Sequence, residues 1–234
     1  MTRLRSPGWA LLVALLISVS SAAQTPKPDA TDAPAVPTIT FVFDWPDAHP
    51  PHYSIALDSD GSALYTAVDE KEDSAEPYVL KFTASQAARE RIFADAHALN
   101  YFQGQFDFTR HKIAFTGSKS LTYGDSKRHS QTTYNWSENA QLMALTDVFL
   151  GISNTLEAGR KLEYLRRFDR LGLNDELKEM EEQAKSHYLN EVHVIAPLLR
   201  QIADDPAIVD LARQRARRLL HLAAAEDASS AASQ

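Results

Sequence analysis

Three titratable residues in the middle of the chain have side chains suited to general acid–base chemistry. Asp107, His111 and Asp125 could transfer protons without a metal ion if the fold brought them to one rim. The sequence contains no Gly-x-Ser-x-Gly turn and no cysteine, so it lacks both of these common nucleophile arrangements. A metal-independent hydrolase is therefore one hypothesis, although the sequence assigns no catalytic residue.

The eight histidines do not form a recognisable metal-binding pattern. His49 and His52 flank two prolines, and such a loop could place both rings near one ion, but no third ligand lies nearby in the sequence. His187 and His193 are six residues apart, which on a helix would point them in different directions. We therefore predict no metal site.

Two turn-like segments match ligand-binding loops only in part. Residues 58–61 (DSDG) suggest a calcium loop, but aligning Gly61 with the required glycine puts Ala56 and Ala67 where carboxylates are needed. Residues 115–120 (FTGSKS) lack the long glycine loop and the Gly-Lys-Ser/Thr ending of a phosphate-binding loop. We interpret both segments as turns and predict no cofactor.

Aromatic residues near predicted strand ends and loops are the remaining candidates for a site. Most should belong to the core, but a subset could line an apolar groove with polar groups, which suits a peptide or glycan ligand. The candidate ligand-binding residues are Trp45, Tyr53, Tyr101, Phe106, Tyr134 and Trp136.

The elements that must position these residues begin with β-strands. Short runs of alternating apolar and polar residues, separated by turn residues, predict an antiparallel sheet of about seven strands. The predicted strands are residues 38–43, 53–57, 63–68, 78–82, 113–116, 120–123 and 130–135. A helix over 84–100, with Thr83 and Gln86 as a capping box, separates the fourth strand from the fifth.

One long helix over residues 137–172 joins the β-rich half to a helical half. Leu142, Leu145, Phe149, Ile152 and Leu156 share one face and predict a lid on the sheet. The part from 157 onward is mostly charged, so we interpret it as a solvated connector. Ser137 is expected to cap the helix, Gly151 and Gly159 to weaken it, and Gly172 to end it in the left-handed conformation.

The remaining segments predict a C-terminal all-helical subdomain. Asn174 should cap the next helix, and helices over 192–203 and 206–223 form a pair similar to a single HEAT-like repeat. Four arginines on the last helix could bind an anionic surface, although a solvated face matching the helix dipole is the favoured interpretation. These are Arg213, Arg215, Arg217 and Arg218.

The overall organisation is that of an exported α+β protein. Residues 1–23 have the basic start, apolar run and small residues of a signal peptide, and residues 24–37 form a Pro/Ala-rich linker. The α+β domain then spans 38–158, the helical extension 159–225 and a disordered tail 226–234. No other stretch is apolar enough to cross a membrane, and the compartment is periplasmic or extracellular.

The net charge of the chain makes nucleic acid an unfavourable partner. The formal charge is −7, and removing a signal with two arginines makes it about −9, so a phosphate backbone would be repelled. We therefore predict no nucleic-acid partner. The 44% hydrophobic content is sufficient for a folded core.

Two segments resemble an uncharacterised family of exported bacterial proteins. Residues 53–57 (YSIAL), followed by Asp60, Gly61 and Tyr65, resemble the broader family. Residues 101–136, with TYNWS at 133–137, resemble a narrower acidobacterial group of unknown function. The resemblance covers roughly residues 38–205 and implies export and a fold of hairpin, helix, further strands and a final helix. It implies no catalytic residues.

These observations favour a non-catalytic envelope protein that binds a protein, peptide or glycan where the sheet and helices meet. The alternative is a metal-independent hydrolase that acts on an envelope polymer. In that case Asp107, His111 or Asp125 would carry the reaction.

Overall fold

Six antiparallel strands form one sheet in the order β4-β3-β2-β1-β5-β6. The computed structural model of the protein describes residues 36–68 and 76–231, so the predicted signal peptide and most of the linker lie outside the described residues. The strands are β1 (Thr38–Asp44), β2 (His52–Asp58), β3 (Ser62–Val68), β4 (Tyr78–Thr83), β5 (Ser118–Gly124) and β6 (His129–Tyr134).

The sheet has one buried face, as the alternation in the sequence predicts. In β1 the side chains of Ile39, Phe41 and Phe43 are buried, whereas their neighbours point to the outer face. Gly61 adopts a φ of 96° in the turn between β2 and β3, which fits the predicted hairpin. An α+β fold with an antiparallel sheet followed by a helical region is therefore confirmed.

The predicted strand over 113–116 is wrong, which is why the sheet has six strands rather than about seven. The Asn135 side chain accepts a hydrogen bond from the Thr116 backbone N–H at 2.8 Å and donates one to the Ala114 carbonyl at 2.8 Å. Lys119 Nζ donates to the carbonyls of Thr116 at 2.9 Å and Gly117 at 3.0 Å. Side chains therefore satisfy these backbone groups, and no strand pairing is needed.

The helix that follows β4 is α1 (Gln86–Ala98), close to the predicted range. Its N-terminal cap is Ser85 rather than the predicted Thr83, because the Ser85 hydroxyl accepts a hydrogen bond from the Ala88 N–H. Ile92 and Ala96 are the buried residues of this helix.

The long helix is α2 (Ala140–Phe168), with 29 residues. Asn139, not Ser137, is its cap, and its side-chain oxygen accepts hydrogen bonds from two backbone N–H groups at 3.0 Å each. The helix ends at Phe168 rather than at Gly172, and Gly172 has a φ of −66° instead of the predicted left-handed conformation.

The first half of α2 covers the sheet as predicted, but its second half is not a solvated connector. All five predicted lid residues are buried, and Phe149 stacks on Phe41 of β1 with ring centroids 5.0 Å apart. Further along, Leu162 and Leu165 are also buried, against a second group of helices. Lys161, Glu163 and Arg167 are exposed on this half of the helix, whereas Glu157, Arg160 and Arg166 are partly buried.

In the part of the chain that the structure describes, three helices follow α2: α3 (Leu173–Lys185), α4 (Ala196–Asp204) and α5 (Asp210–Ala231). A 3-10 turn (Val192–Ile195) precedes α4, and α4 packs against α5. Pro206 lies before α5 rather than in its first turn, and α5 continues into the segment predicted to be a tail. The buried residues of α2 up to Leu156 belong to the core beneath the sheet, and those from Ala158 onward belong to a second core among the helices. The helix α2 therefore contributes to both cores.

Candidate functional site

A groove of about 500 Å³ lies where the edge of the sheet meets the helical region. Its walls are the inner side of β4, the middle of α2, and the segment from the 3-10 turn into α4. The main apolar lining residues are Tyr78, Leu80, Phe82, Leu156, Val194 and Leu198, and the main charged or titratable ones are Arg160, Glu163, Arg166 and His193.

One side of the groove is a free strand edge. Among the described residues, the β4 backbone forms a ladder with β3 alone, and none of the six β4 side chains is fully buried. Alternate residues of such a strand direct their N–H and C=O groups away from the sheet. An extended polypeptide lying beside β4 could therefore bond to these groups and continue the sheet.

The α2 wall comes from one helical stripe. Leu156, Gly159, Glu163 and Arg166 follow each other at spacings of three or four residues and therefore lie on one side of the helix. Gly159 allows the 3-10 turn to approach closely, because a Cβ there would lie only 2.6 Å from Ile195 Cγ2. The glycine predicted to weaken the helix thus sets the position of the opposite wall.

Two polar atoms among the residues lining the groove are buried without a hydrogen-bond partner: Arg166 Nε and His193 Nδ1. His193 Nε2 lies 3.1 Å from the Thr83 carbonyl oxygen, and because a carbonyl only accepts, Nε2 carries the hydrogen. His193 Nδ1 is 3.8 Å from Glu191 Oε2, too far for a hydrogen bond. Buried polar groups normally find partners, so these two atoms mark a part of the groove wall whose hydrogen bonding is unsatisfied.

A buried polar network supports Arg160 behind the groove. The Tyr65 hydroxyl donates to Glu157 Oε1 at 2.8 Å and lies 3.2 Å from Ser153 Oγ. Glu157 also pairs with Arg160 at 2.9 Å, and the Arg160 guanidinium carbon lies 5.2 Å from the centre of the Tyr78 ring. Burial raises the pKa of Tyr65, so its hydroxyl stays neutral and remains a hydrogen-bond donor.

The six aromatic residues proposed from sequence do not gather in this groove. Tyr53 and Tyr134 are buried in the sheet core, where Tyr53 lies against Tyr65 and the Tyr134 hydroxyl bonds to Thr146 at 2.5 Å. Trp45 packs edge-on against Phe43 after β1.

The other three lie around β6. Tyr101 contacts Tyr123, with the Arg128 guanidinium 4.3 Å from its ring centre. Trp136 packs edge-on against Phe108, and Phe106 packs against the sheet core. None of the six residues lines the groove beside β4.

The three acid–base candidates do not converge either. The Asp107 carboxylate accepts a hydrogen bond from the Asn135 N–H at 2.8 Å, just after β6 ends. Asp125 lies in the turn before β6, where the backbone N–H groups of Lys127 and Arg128 hold the pKa of its carboxyl below its usual value. The length of β6, roughly 20 Å, separates the two. Only His111 lies near Asp107 in the sequence.

Three further properties of the chain are its capacity to hold a metal ion, the presence of membrane-spanning helices and its similarity to known proteins. Within 36–68 and 76–231, no three or more His, Asp or Glu side chains are placed to hold a metal ion. No helix in the same ranges combines the length and apolar character needed to cross a bilayer. No known protein-family model matches the chain, and no curated protein sequence is significantly similar to it.

Sequence reasoning missed the groove because its residues come from three separated segments. Tyr78, Leu80 and Phe82 belong to a strand that the sequence predicts, but only the sheet order shows that this strand is at an edge. The sequence predicts residues 192–195 as the start of a helix over 192–203, whereas in the structure they form a separate 3-10 turn. Arg160, Glu163 and Arg166 lie on the part of the predicted long helix that the sequence analysis interprets as a solvated connector.

Proposed function

We propose that this protein is an exported, non-catalytic module that binds an extended polypeptide along the free edge of β4. The single observation that carries the proposal is that, within the described ranges 36–68 and 76–231, β4 pairs with β3 alone and lies beside an apolar groove. Backbone hydrogen bonds to β4 would supply affinity, and alternate side chains of the bound segment would enter the groove. A signal-like sequence at residues 1–23 and the resemblance to exported bacterial proteins support the proposed envelope location.

The charges of the groove favour a segment that carries a carboxylate. Arg160 and Arg166 are six residues apart on α2, roughly 9 Å along the helix axis, with Glu163 between them. The side chains of Arg160 and Arg166 both line the groove and can attract an acidic side chain or the terminal carboxylate of a peptide. Because the protein as a whole is acidic, a groove with cationic side chains favours acidic peptides over basic ones.

The hydrolase alternative has less support. Asp107 and Asp125 lie at opposite ends of β6, and none of the three acid–base candidates is among the residues that line the groove.

Matched variants of β4 test the proposal. Leu80 faces the groove, whereas Val79 is 53% exposed on the other face of the same strand. An array of short synthetic peptides selects binders to the wild-type protein, and their affinities are then measured by fluorescence polarisation. Leu80→Lys should weaken binding about tenfold or more, because it places a cation in the apolar wall, whereas Val79→Lys should not.

Hydrogen exchange supplies the second readout. Binding by strand addition should slow exchange of the β4 backbone amides specifically. Failure of every acidic and apolar peptide to bind, or equal loss of affinity in Leu80→Lys and Val79→Lys, would reject this function. Cell fractionation and N-terminal sequencing of the mature protein test the location separately.

A further inference from the structure

The 3-10 turn that forms one wall of the groove connects the two hydrophobic cores. Val194 packs against the core beneath the sheet, whereas Val192 and Ile195 are buried in the core among the helices. Thr83, His193, Val194 and Ile195 all line the groove, so the separation between this turn and the end of β4 sets the width of the groove there. The contacts that fix the turn therefore determine the shape of the site.

Glu191, the residue before the turn, has a buried carboxylate that is bound to the start of α1. Its side chain is 5% exposed, and its two oxygens accept hydrogen bonds from the backbone N–H and the hydroxyl of Ser85, each at 2.6 Å. Ser85 is the N-terminal cap of α1 and follows β4 by two residues. The dipole at a helix N-terminus stabilises a carboxylate, and short hydrogen bonds to an ionised acceptor are strong. Glu191 thus connects the turn to the β4 side of the groove.

Glu191 holds this position with a strained backbone. Its φ is 62°, in the left-handed region that residues with a side chain rarely adopt. Glycine would adopt this conformation at little cost, yet the chain has a glutamate here. Residues keep such a conformation only where surrounding contacts hold them in it, and they are frequent at ligand-binding positions. The two bonds to Ser85 are contacts of this kind.

His193 makes a second polar contact between the turn and β4. Its Nε2 donates to the carbonyl of Thr83, the last residue of β4, at 3.1 Å. This carbonyl is therefore already bonded, and the edge that remains for a bound segment is Tyr78–Phe82, roughly 17 Å long. The turn thus marks the end of the strand edge that a ligand can use.

We propose that Glu191 is the positioning residue of the β4 groove: by bonding to Ser85, it holds the 3-10 turn at a fixed distance from β4. This inference rests on the peptide binding proposed above and names the contact that prepares the site for it. Without the carboxylate, the segment before the turn stays attached to α2, because the Asn190 N–H donates to the Gly151 carbonyl at 3.2 Å. The turn would lose its connection to α1, however, and part of the binding free energy would be used to order it again.

Hydrogen exchange of the free protein is the first test. The reporter is the Val194 amide, which donates to the Glu191 carbonyl at 3.0 Å within the turn. Glu191→Gly removes the carboxylate and also the backbone strain, so the Val194 amide should exchange about tenfold faster or more. Glu191→Gln keeps the strain and one acceptor oxygen for Ser85, so its exchange should lie between those of the wild type and Glu191→Gly.

Peptide affinity is the second test, measured with the tightest-binding peptide of the array. Glu191→Gly should bind this peptide about tenfold more weakly, and saturating peptide should slow Val194 exchange more in this variant than in the wild type. Glu191→Gln removes the same charge but should stay within about threefold of the wild-type affinity, which separates positioning from electrostatics.

Lys119→Met is the matched control for lost stability. It removes buried hydrogen bonds on β5, which is the fourth strand from β4 in the sheet, and should bind the peptide with wild-type affinity. If lost stability alone weakened binding, this variant would lose affinity as well.

Four results would overturn the inference. They are unchanged Val194 exchange in Glu191→Gly, faster exchange with unchanged affinity, an affinity of Glu191→Gln as low as that of Glu191→Gly, and an equal loss of affinity in Lys119→Met. A wild-type protein that binds no peptide would instead reject the function proposed for β4. The exchange measurement needs no peptide, so it still decides whether Glu191 holds the turn.

Discussion

The Tyr65 hydroxyl is the polar contact that connects β3 to the middle of α2, and its removal should have a measurable cost. Tyr65 is fully buried, and its hydroxyl donates to the Glu157 carboxylate at 2.8 Å. Tyr65→Phe deletes only this oxygen and leaves the ring in place. A hydrogen bond to a charged acceptor contributes about 1.5–3 kcal/mol. Because Glu157 keeps Arg160 as a partner at 2.9 Å, we expect a loss of about 2 kcal/mol.

Tyr123→Phe is the matched control. It removes the same oxygen, which there donates to Asp125 at 2.9 Å, but that carboxylate sits in a turn and also accepts two backbone N–H groups. The free energy of unfolding, measured by urea denaturation at neutral pH, should fall much less in this variant. Equal losses in the two variants, or a loss below about 0.5 kcal/mol in Tyr65→Phe, would refute the claim that burial strengthens this bond.

Three further changes test other parts of the fold. Gly159→Ala should lower the stability measured by calorimetry by about 1 kcal/mol, because overpacking against Ile195 costs more than the gain in helix propensity. This loss should disappear when Ile195 is also replaced by alanine. Lys119→Met leaves three backbone carbonyls without their donor, so we expect a loss of about 2–3 kcal/mol and faster hydrogen exchange over residues 114–117. Burial raises the pKa of Tyr134 to about 12, so the folded state keeps this proton after the unfolded state has lost it near pH 10. The free energy of unfolding should therefore fall as the pH rises from about 10 to about 12, by up to about 1.4 kcal/mol per pH unit. In denaturation measured over a series of pH values, Tyr134→Phe should remove this part of the pH dependence.

Local sequence patterns predicted most of the fold, because a strand or helix that is buried on one face has apolar residues at regular spacing. Alternation located the six observed strands, and the spacing from Leu142 to Leu156 located the lid helix. The strand predicted over 113–116 was wrong because the Asn135 and Lys119 side chains take its backbone bonds. Such contacts join residues about twenty positions apart or closer, but no local pattern marks them.

The candidate site could not be predicted from sequence for a related reason. Its location depends on β4 being at the edge of the sheet, and strand order is a property of the whole chain. The charged half of α2 was misinterpreted because only Leu162 and Leu165 mark its second buried side, too few to stand out among arginines. The close approach at Gly159 was likewise hidden, since the glycine appeared only as a weak helix former.

The position of α2 in the sequence has a consequence for biosynthesis. The aromatic face of the sheet, including Phe41, Tyr53 and Tyr65, precedes the helix that covers it by roughly a hundred residues. A nascent polypeptide therefore completes the six observed strands before Leu156 leaves the ribosome. During that interval the uncovered face is available to other polypeptides, so a holding chaperone should raise the yield of this protein more than that of one whose covering helix comes first.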